Sequence, residues 1–436
     1  MTLLDLTPRT ETRDRLTGLP VAVIGAGPVG LAAAANLIER GEDVVVYEKG
    51  SDAAASVRAW GHIRLFSPWR HLVDPAARRL LEREGWRMPP EGDIPDGRAL
   101  VELYLAPLAR SRALAGSIRT GVSVEAVTRE GMDRTRSVGR AAAPFSLRLR
   151  SADGVVCETS SRAVIDASGT YDSPNPLGAG GLEALGVEHV RDRITHALPD
   201  VHGAERARFA GRHTVVVGAG HSAANTLIGL AELARDVAGT TITWLLRGTR
   251  APQVGSSPDD ELIARAQLGG RVEQLVAEGS LTVVDGFAIA RAEPHGDGVR
   301  LVGRRRERPH SVDADIVVAA TGFRPSLGML REVRLDLDDI VEAPRRLAPL
   351  IDPSLHSCGT VEPHGYRELR HPDEGFFIVG MKSYGRAPTF LLATGYEQVR
   401  SVTAWLAGDV DAASAVSLSL PATGVCSTDL GGSCCT

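Results

Sequence analysis

Short apolar runs that stop at glycine set the pattern of this chain. Val21-Ala22-Val23-Ile24 runs into Gly25-Ala26-Gly27-Pro28-Val29-Gly30, and Val215-Val216-Val217 runs into Gly218-Ala219-Gly220-His221-Ser222-Ala223. Runs this short, with no polar alternation, predict strands buried on both faces of a parallel sheet. Behind the first glycine cluster, Leu31, Ala32, Ala35, Leu37 and Ile38 recur at helical spacing and predict a helix over 30–40. Val44-Val45-Val46-Tyr47 is then the next parallel strand. Further strands are predicted at Ala163-Val164-Ile165, Thr241 to Leu246, Ile316-Val317-Val318 and Gly375 to Gly380, with a closing helix from Phe390 to Ala407.

The predicted class is therefore α/β, with two Rossmann-like dinucleotide-binding units. In each, glycines at a strand-to-helix turn let the backbone approach a pyrophosphate, and the helix N-terminus supplies a positive dipole. Gly25, Gly27, Pro28 and Gly30 form the first candidate turn; Gly218, Gly220, His221, Ser222 and Ala223 form the second. Glu48 ends the strand after the first turn, about 20 residues on, where an acid accepts hydrogen bonds from a ribose diol; the alternative is a surface glutamate. The corresponding strand of the second unit ends without an acid and continues into Arg247, with Arg250 close behind. An arginine there suits a 2′-phosphate, or is a solvated strand-end charge. FAD is thus expected in the first unit and NADPH in the second.

Two small-residue turns, Asp166-Ala167-Ser168-Gly169 and Ala319-Ala320-Thr321-Gly322, bracket the second glycine cluster. That layout predicts an NADP domain inserted into a split FAD domain. The expected boundaries are 19–175 and 323–408 for the two FAD parts, 176–322 for the NADP domain, and 409–436 for a flexible tail.

Composition adds limits. The 436 residues are 43% hydrophobic and 24% charged, as in ordinary globular chains, and a net charge of -5 argues against nucleic acid or anionic membrane as the main partner. A charged N-terminal stretch with no apolar core, and no later run of about 18 apolar residues, predict a cytoplasmic protein without a membrane span. Lysine occurs only at Lys49 and Lys382. Five cysteines are too few for a disulfide framework, but Cys426, Cys434 and Cys435 crowd the C-terminus.

With these elements in order, the chain resembles the two-dinucleotide-domain flavoproteins over residues 19–408. That superfamily holds thioredoxin reductases, flavin-containing monooxygenases and Baeyer–Villiger monooxygenases. The resemblance implies FAD and NADPH as cofactors. It adds Lys49, Ser168, Gly169, Thr321, Gly322, Gly380 and Thr389 to the candidate cofactor residues. Trp60 and Arg64 join them, from a stretch that covers the flavin nucleotide in this superfamily. The chain departs from the thioredoxin reductases in having no Cys-x-x-Cys. It departs from the monooxygenase motif Phe-x-Gly-x-x-x-His in having Val190 and Asp192 upstream of His196. His196 is a candidate catalytic residue or a merely structural histidine.

The segments His356-Ser357-Cys358-Gly359-Thr360, Gly380 to Phe390 and Thr394 to Arg400, with the cysteine-bearing C-terminus, are similar to bacterial flavoprotein monooxygenases found with arsenic-resistance genes. This implies a small-molecule substrate, a trivalent arsenical, oxidised with molecular oxygen to the pentavalent form. Trivalent arsenic is thiophilic, so Cys426, Cys434 and Cys435 are candidate arsenic ligands, or incidental thiols of a tail. Cys358 is a candidate substrate-facing cysteine, or a small buried apolar residue. Oxidation of an organic amine, sulfide or ketone, NADPH-dependent reduction of a small or protein acceptor, and a flavin-dependent redox sensor remain open, as does the oligomeric state.

Overall fold

The apolar runs become strands, and their polar flanks become turns. The computed structural model describes residues 15–249, 263–351, 363–387 and 390–417. The strands in chain order begin with β1 (Val21–Ile24), β2 (Val44–Tyr47), β3 (Ile118–Arg119), β4 (Val122–Arg129), β5 (Phe145–Ser151), β6 (Val156–Ser161) and β7 (Ala163–Asp166). Next come β8 (Ile194–His196), β9 (His213–Val217), β10 (Thr241–Leu245) and β11 (Thr282–Val284). The chain continues through β12 (Phe287–His295), β13 (Gly298–Arg305), β14 (Arg308–Ala314), β15 (Ile316–Ala319) and β16 (Phe376–Ile378).

Two parallel five-stranded sheets form, ordered β16-β7-β1-β2-β3 and β11-β10-β9-β15-β8. Register matters more than order. Ile24 lies beside Tyr47 and Asp166, and Ile378 beside Asp166, so four strands of the first sheet end level. Val217 lies beside Leu245 and Ala319 in the same way. Each glycine turn therefore emerges at the carboxyl edge of its sheet, next to the turns of its neighbours.

Both sheets are covered on two faces, which is why their strands read as unbroken apolar runs. In the first, Val21 and Val23 face a helical layer containing Leu31, Leu37, Leu80 and Val399, whereas Ala22 and Ile24 face Phe145 and Leu147 of the antiparallel sheet β4–β5–β6. In the second, Val216 and Val318 face the helix His221–Asp236, whereas Val215 and Val217 face Phe287, Ile289 and Leu301 of the sheet β12–β13–β14. The chain passes between the sheets twice, and the two passages pair. Pro174 bridges to Phe323, Asn175 N donates to Gly322 O at 2.9 Å, and the rings of Tyr171 and Phe323 stack at 5.6 Å.

Three elements differ from expectation. The first helix spans Pro28–Glu39, starting two residues early because proline is well suited to the first helical turn, where its missing N–H would go unused. The closing helix spans Leu392–Leu406. The chain after Asp409 does not become a tail at once: Val410–Ser414 form a helix capped by Asp409, which accepts from Ala412 N at 3.0 Å. Arg400 and Ser401 donate to the carbonyls of Ala412 and Ala413 and hold this helix down.

One buried carboxylate ties the helical layer together. Asp74 caps the helix Pro75–Glu82, accepting from Ala77 N at 2.9 Å and from Asn36 Nδ2 at 3.1 Å, while its own N–H donates to Tyr104 Oη at 3.1 Å. Burial pushes its pKa from 3.8 up to about 6, against the pull of those hydrogen bonds. A raised carboxyl pKa means that the folded state holds its proton more tightly than the unfolded one. The stabilisation from this proton is complete below 3.8 and is lost as pH rises towards about 6. Asp74→Asn keeps the cap without the charge. The variant should therefore gain stability relative to the parent across this interval, read as a growing difference in urea midpoints. A difference that stays constant with pH would show that Asp74 does not titrate there.

Candidate functional site

Three glycines divide the work in the first turn. Gly25 has φ +96° and donates its N–H to Tyr47 O at 2.7 Å; a Cβ there would lie 2.8 Å from Ala167 O. Gly30 packs the helix on the strand, since a Cβ there would lie 1.9 Å from Gly25 O. Gly27 is the helix cap, and a Cβ on it would meet nothing within 4 Å. Tight turn, close packing and an open approach to a helix N-terminus are the three requirements of a pyrophosphate cradle.

The second turn repeats this. Gly218 has φ +130°, donates to Leu245 O at 3.2 Å, and would place a Cβ 2.1 Å from Ala320 O. Gly220 caps the helix His221–Asp236 and faces open space. Ala223, where the first unit has Gly30, is fully buried. Trp244 Nε1 donates to Gly218 O at 2.7 Å and fixes the turn from behind. Ser222 O accepts from Thr226 Oγ1 inside the helix.

Glu48 sits at the mouth of the first cradle, buried. Its Oε2 accepts from Ala26 N at 2.7 Å and its Oε1 from Gly50 N at 2.8 Å. A carboxylate has about four lone-pair sites, so both oxygens retain capacity for a diol. Lys49 is exposed and pairs with Asp172 at 2.6 Å. Arg247 is exposed beyond β10 and donates to Ala179 O at 3.1 Å. His196 ends β8, level with Ala319 at the carboxyl edge of the second sheet, with its side chain exposed.

The segment after β2, leaving the short helix Ala55–Ala59, reaches across to the second unit. Trp60 packs on Gly97, where a Cβ would touch its ring at 2.8 Å, and the exposed Arg64 bridges to Asp96 through the backbone. Phe66 then contacts His221 at 5.3 Å between ring centroids and packs against the core under the second helix. The first unit thus touches the start of the second cradle's helix. At the interdomain passages, Thr321 Oγ1 donates to Asn175 O at 2.7 Å, and Gly322 has φ +83°.

The main charged feature beside the first turn carries no motif in the sequence. Lys382 Nζ lies 2.7 Å from Asp166 Oδ2 and 3.1 Å from Ser168 Oγ, with both charged side chains at most 1% exposed. The other oxygen of Asp166 accepts from Ser168 N at 3.1 Å and from its hydroxyl at 2.7 Å, ordering the turn that ends at Gly169, φ +69°. That turn is the one Gly25 approaches. The closing segment arrives on the same spot: Gly380, φ +69°, donates to Gln398 Oε1 at 2.7 Å and would place a Cβ 3.3 Å from Val29. The signal available in the sequence was the rarity of lysine.

Cys358, Thr389, Cys426, Cys434 and Cys435 lie outside the described residues. Among the described residues, Cys157 is exposed on β6, no group of His, Cys, Asp and Glu is placed to hold a metal ion, and no helix is long and apolar enough to cross a membrane.

Comparison with known proteins gives the class. The model of the pyridine nucleotide-disulphide oxidoreductase family matches residues 22–353, and the chain belongs to that family. It is an FAD-dependent oxidoreductase. A flavin-containing monooxygenase of Arabidopsis thaliana, FMO GS-OX-like 9, is 24% identical over 383 residues, covering 80% of this chain and 73% of the relative. The solved flavin-containing monooxygenase from Stenotrophomonas maltophilia is 25% identical with a TM-score of 0.56, covering 89% of this chain and 99% of that one. The bacillithiol disulfide reductase from Bacillus cereus shares the fold, with a TM-score of 0.66 at 20% identity over 89% of this chain and 99% of that one.

Removing one partner of the Lys382–Asp166 pair strands a buried charge. Lys382→Met should cost about 3–5 kcal/mol in urea unfolding. Asp166→Asn in the same chain should recover most of that loss, because Asn can still accept from Ser168. Equal stability of the single and double variants would show that the pair is not what Lys382 contributes.

Proposed function

We propose that the chain is an NADPH- and FAD-dependent monooxygenase of a soft nucleophilic substrate, with a trivalent methylarsenical as the best candidate. The observation that carries this reading is the pairing of two complete dinucleotide cradles, joined through Phe66 and His221, in a chain with no Cys-x-x-Cys. Without a dithiol, electrons passed to the flavin have no protein disulfide of that kind to leave through. Similarity to flavin-containing monooxygenases over most of the chain supports oxygen as the acceptor.

In this reading the turn Gly25–Gly30 and Glu48 hold FAD, and the domain 19–175 with 323–408 surrounds it. The turn Gly218–Ala223 and Arg247 hold NADPH, within 176–322. FAD, when bound, accepts hydride from NADPH and activates oxygen. The chain's own residues would bind and orient the nucleotides: the glycine turns would receive the pyrophosphates, Lys382 and Asp166 fix the Ser168–Gly169 turn, and Gly380 closes on Val29. Overall, NADPH, a proton, oxygen and methylarsenite give NADP⁺, water and methylarsenate. One oxygen atom goes to arsenic, the other to water, and arsenic and NADPH each give two electrons. A lone pair on trivalent arsenic needs no protein base, in keeping with a sequence that carries no catalytic-dyad motif. Cys426, Cys434 and Cys435 would capture the arsenical as thiolates for delivery to the flavin.

The test is coupling. Methylarsenite should accelerate NADPH consumption and convert peroxide release into stoichiometric pentavalent product. Replacing the three tail cysteines by serine should raise KM for the arsenical at least about tenfold through loss of local concentration. Peroxide release in full, indifferent to arsenical and tail, would overturn the arsenical substrate; turnover of a disulfide without oxygen would overturn the monooxygenase.

A further inference from the structure

We propose that Arg306, at the tip of the β13–β14 hairpin, is a second ligand for the 2′-phosphate of the pyridine nucleotide and sets selectivity for NADPH over NADH. This rests on the assignment of NADPH to the second unit and adds a residue from a different part of the chain.

The hairpin tip is folded onto the end of β10, the edge where such units read the ribose 2′ position. β11 ends beside β10, with Val284 level with Leu245. The turn that follows is sewn to the chain leaving β10: Gly286 N donates to Gly248 O at 2.7 Å, and Phe287 N to Leu246 O at 2.9 Å. Arg306 N in turn donates to Gly286 O at 2.9 Å. A Cβ on Gly286 would lie 3.0 Å from Arg306 Cγ and 3.4 Å from Thr249 Cγ2. The Arg306 stem and the segment Arg247–Thr249 therefore converge on one small region.

The guanidinium is anchored but not used up. Asp285 Oδ2 accepts from Arg306 Nη2 at 2.6 Å, and its Oδ1 accepts from Arg305 Nη2 at 3.0 Å. The Arg306 side chain is 62% exposed. A planar fork with five N–H donors, held at one corner, still presents a phosphate-binding edge. Arg305 alone would clasp the hairpin to the turn, since its Nε also donates to Asp285 O at 3.2 Å. Charge around the tip is positive: Arg304, Arg305, Arg306 and Arg308 stand against Glu307 and Asp285, and Arg304 pairs with the Glu307 carboxylate at 3.4 Å.

The backbone supplies an independent observation. Arg306 has φ 47° and Glu307 φ 69°, the left-handed pair of a two-residue hairpin turn that asparagine and glycine adopt at little cost. Arginine there is unfavourable for the turn, so the backbone conformation does not account for its presence.

Binding of 2′,5′-ADP and 5′-AMP to the holoenzyme isolates the 2′-phosphate. The parent should prefer 2′,5′-ADP. Arg306→Gly removes the charge and relieves the turn, so it should unfold at no lower temperature than the parent, yet lose about tenfold of that preference, the loss falling on 2′,5′-ADP. Arg306→Gln should lose a similar share without changing the turn, and Arg306→Lys should lose less. If both neutral variants keep the full preference while Arg247→Ala abolishes it, Arg306 is only part of a structural clasp, and the NADPH assignment survives. If the parent itself does not prefer 2′,5′-ADP, the NADPH assignment falls, and this inference with it.

Discussion

Backbone meeting backbone without an intervening Cβ is the constraint on which this structure depends. At Gly30 an added Cβ would lie 1.9 Å from Gly25 O, and at Gly218 one would lie 2.1 Å from Ala320 O. Neither contact can relax by side-chain movement, because both partners are main chain. These approaches let a helix start directly at a strand end and let the neighbouring strand's turn close over it. The level register of β1, β2, β7 and β16 then carries Gly25, Glu48, Ala167 and Val379 to one edge.

Around that edge the first unit is the more rigidly determined. Glu48 is clamped by two amides, Asp166 by Lys382 and Ser168, and Gly380 by Gln398. The second unit has Ala223 in place of the close-packing glycine, and its charged groups are exposed arginines on loops. Phe66 and His221 lie at the contact between the two units.

Much of this was legible in the sequence because strands covered on both faces cannot alternate. Val21–Ile24, Val44–Tyr47 and Val215–Val217 show themselves as apolar runs, and glycine marks where they stop. The antiparallel sheets went unread: in Phe145–Ser151, charged Arg148 and Arg150 alternate with Leu147 and Leu149, and only one face is covered. The short helix Val410–Ser414 was hidden by its small, polar composition; tertiary contacts from Arg400 and Ser401 hold it rather than propensity. Lys382 and Asp166 are 216 positions apart, and no local pattern announces a pair made where the helical turn after β16 meets the end of β7 across a whole inserted unit. Arg306 was equally silent, since its meaning depends on a hairpin folding back onto β10.

In the function proposed here, each glycine turn cradles a different dinucleotide, and electrons pass from the second to the first. Gly27 and Gly220 have φ −74° and −87°, open to any residue, and an added Cβ at either meets nothing within 4 Å. Alanine at these positions should therefore leave the fold intact and, where the turns bind as proposed, obstruct the pyrophosphate. The decisive measurement is anaerobic bleaching of the flavin by NADPH in the two variants. Gly27→Ala should emerge depleted of FAD, whereas Gly220→Ala should keep its FAD and bleach slowly, with a raised NADPH requirement. Full FAD content in Gly27→Ala together with parental bleaching in Gly220→Ala would contradict the account.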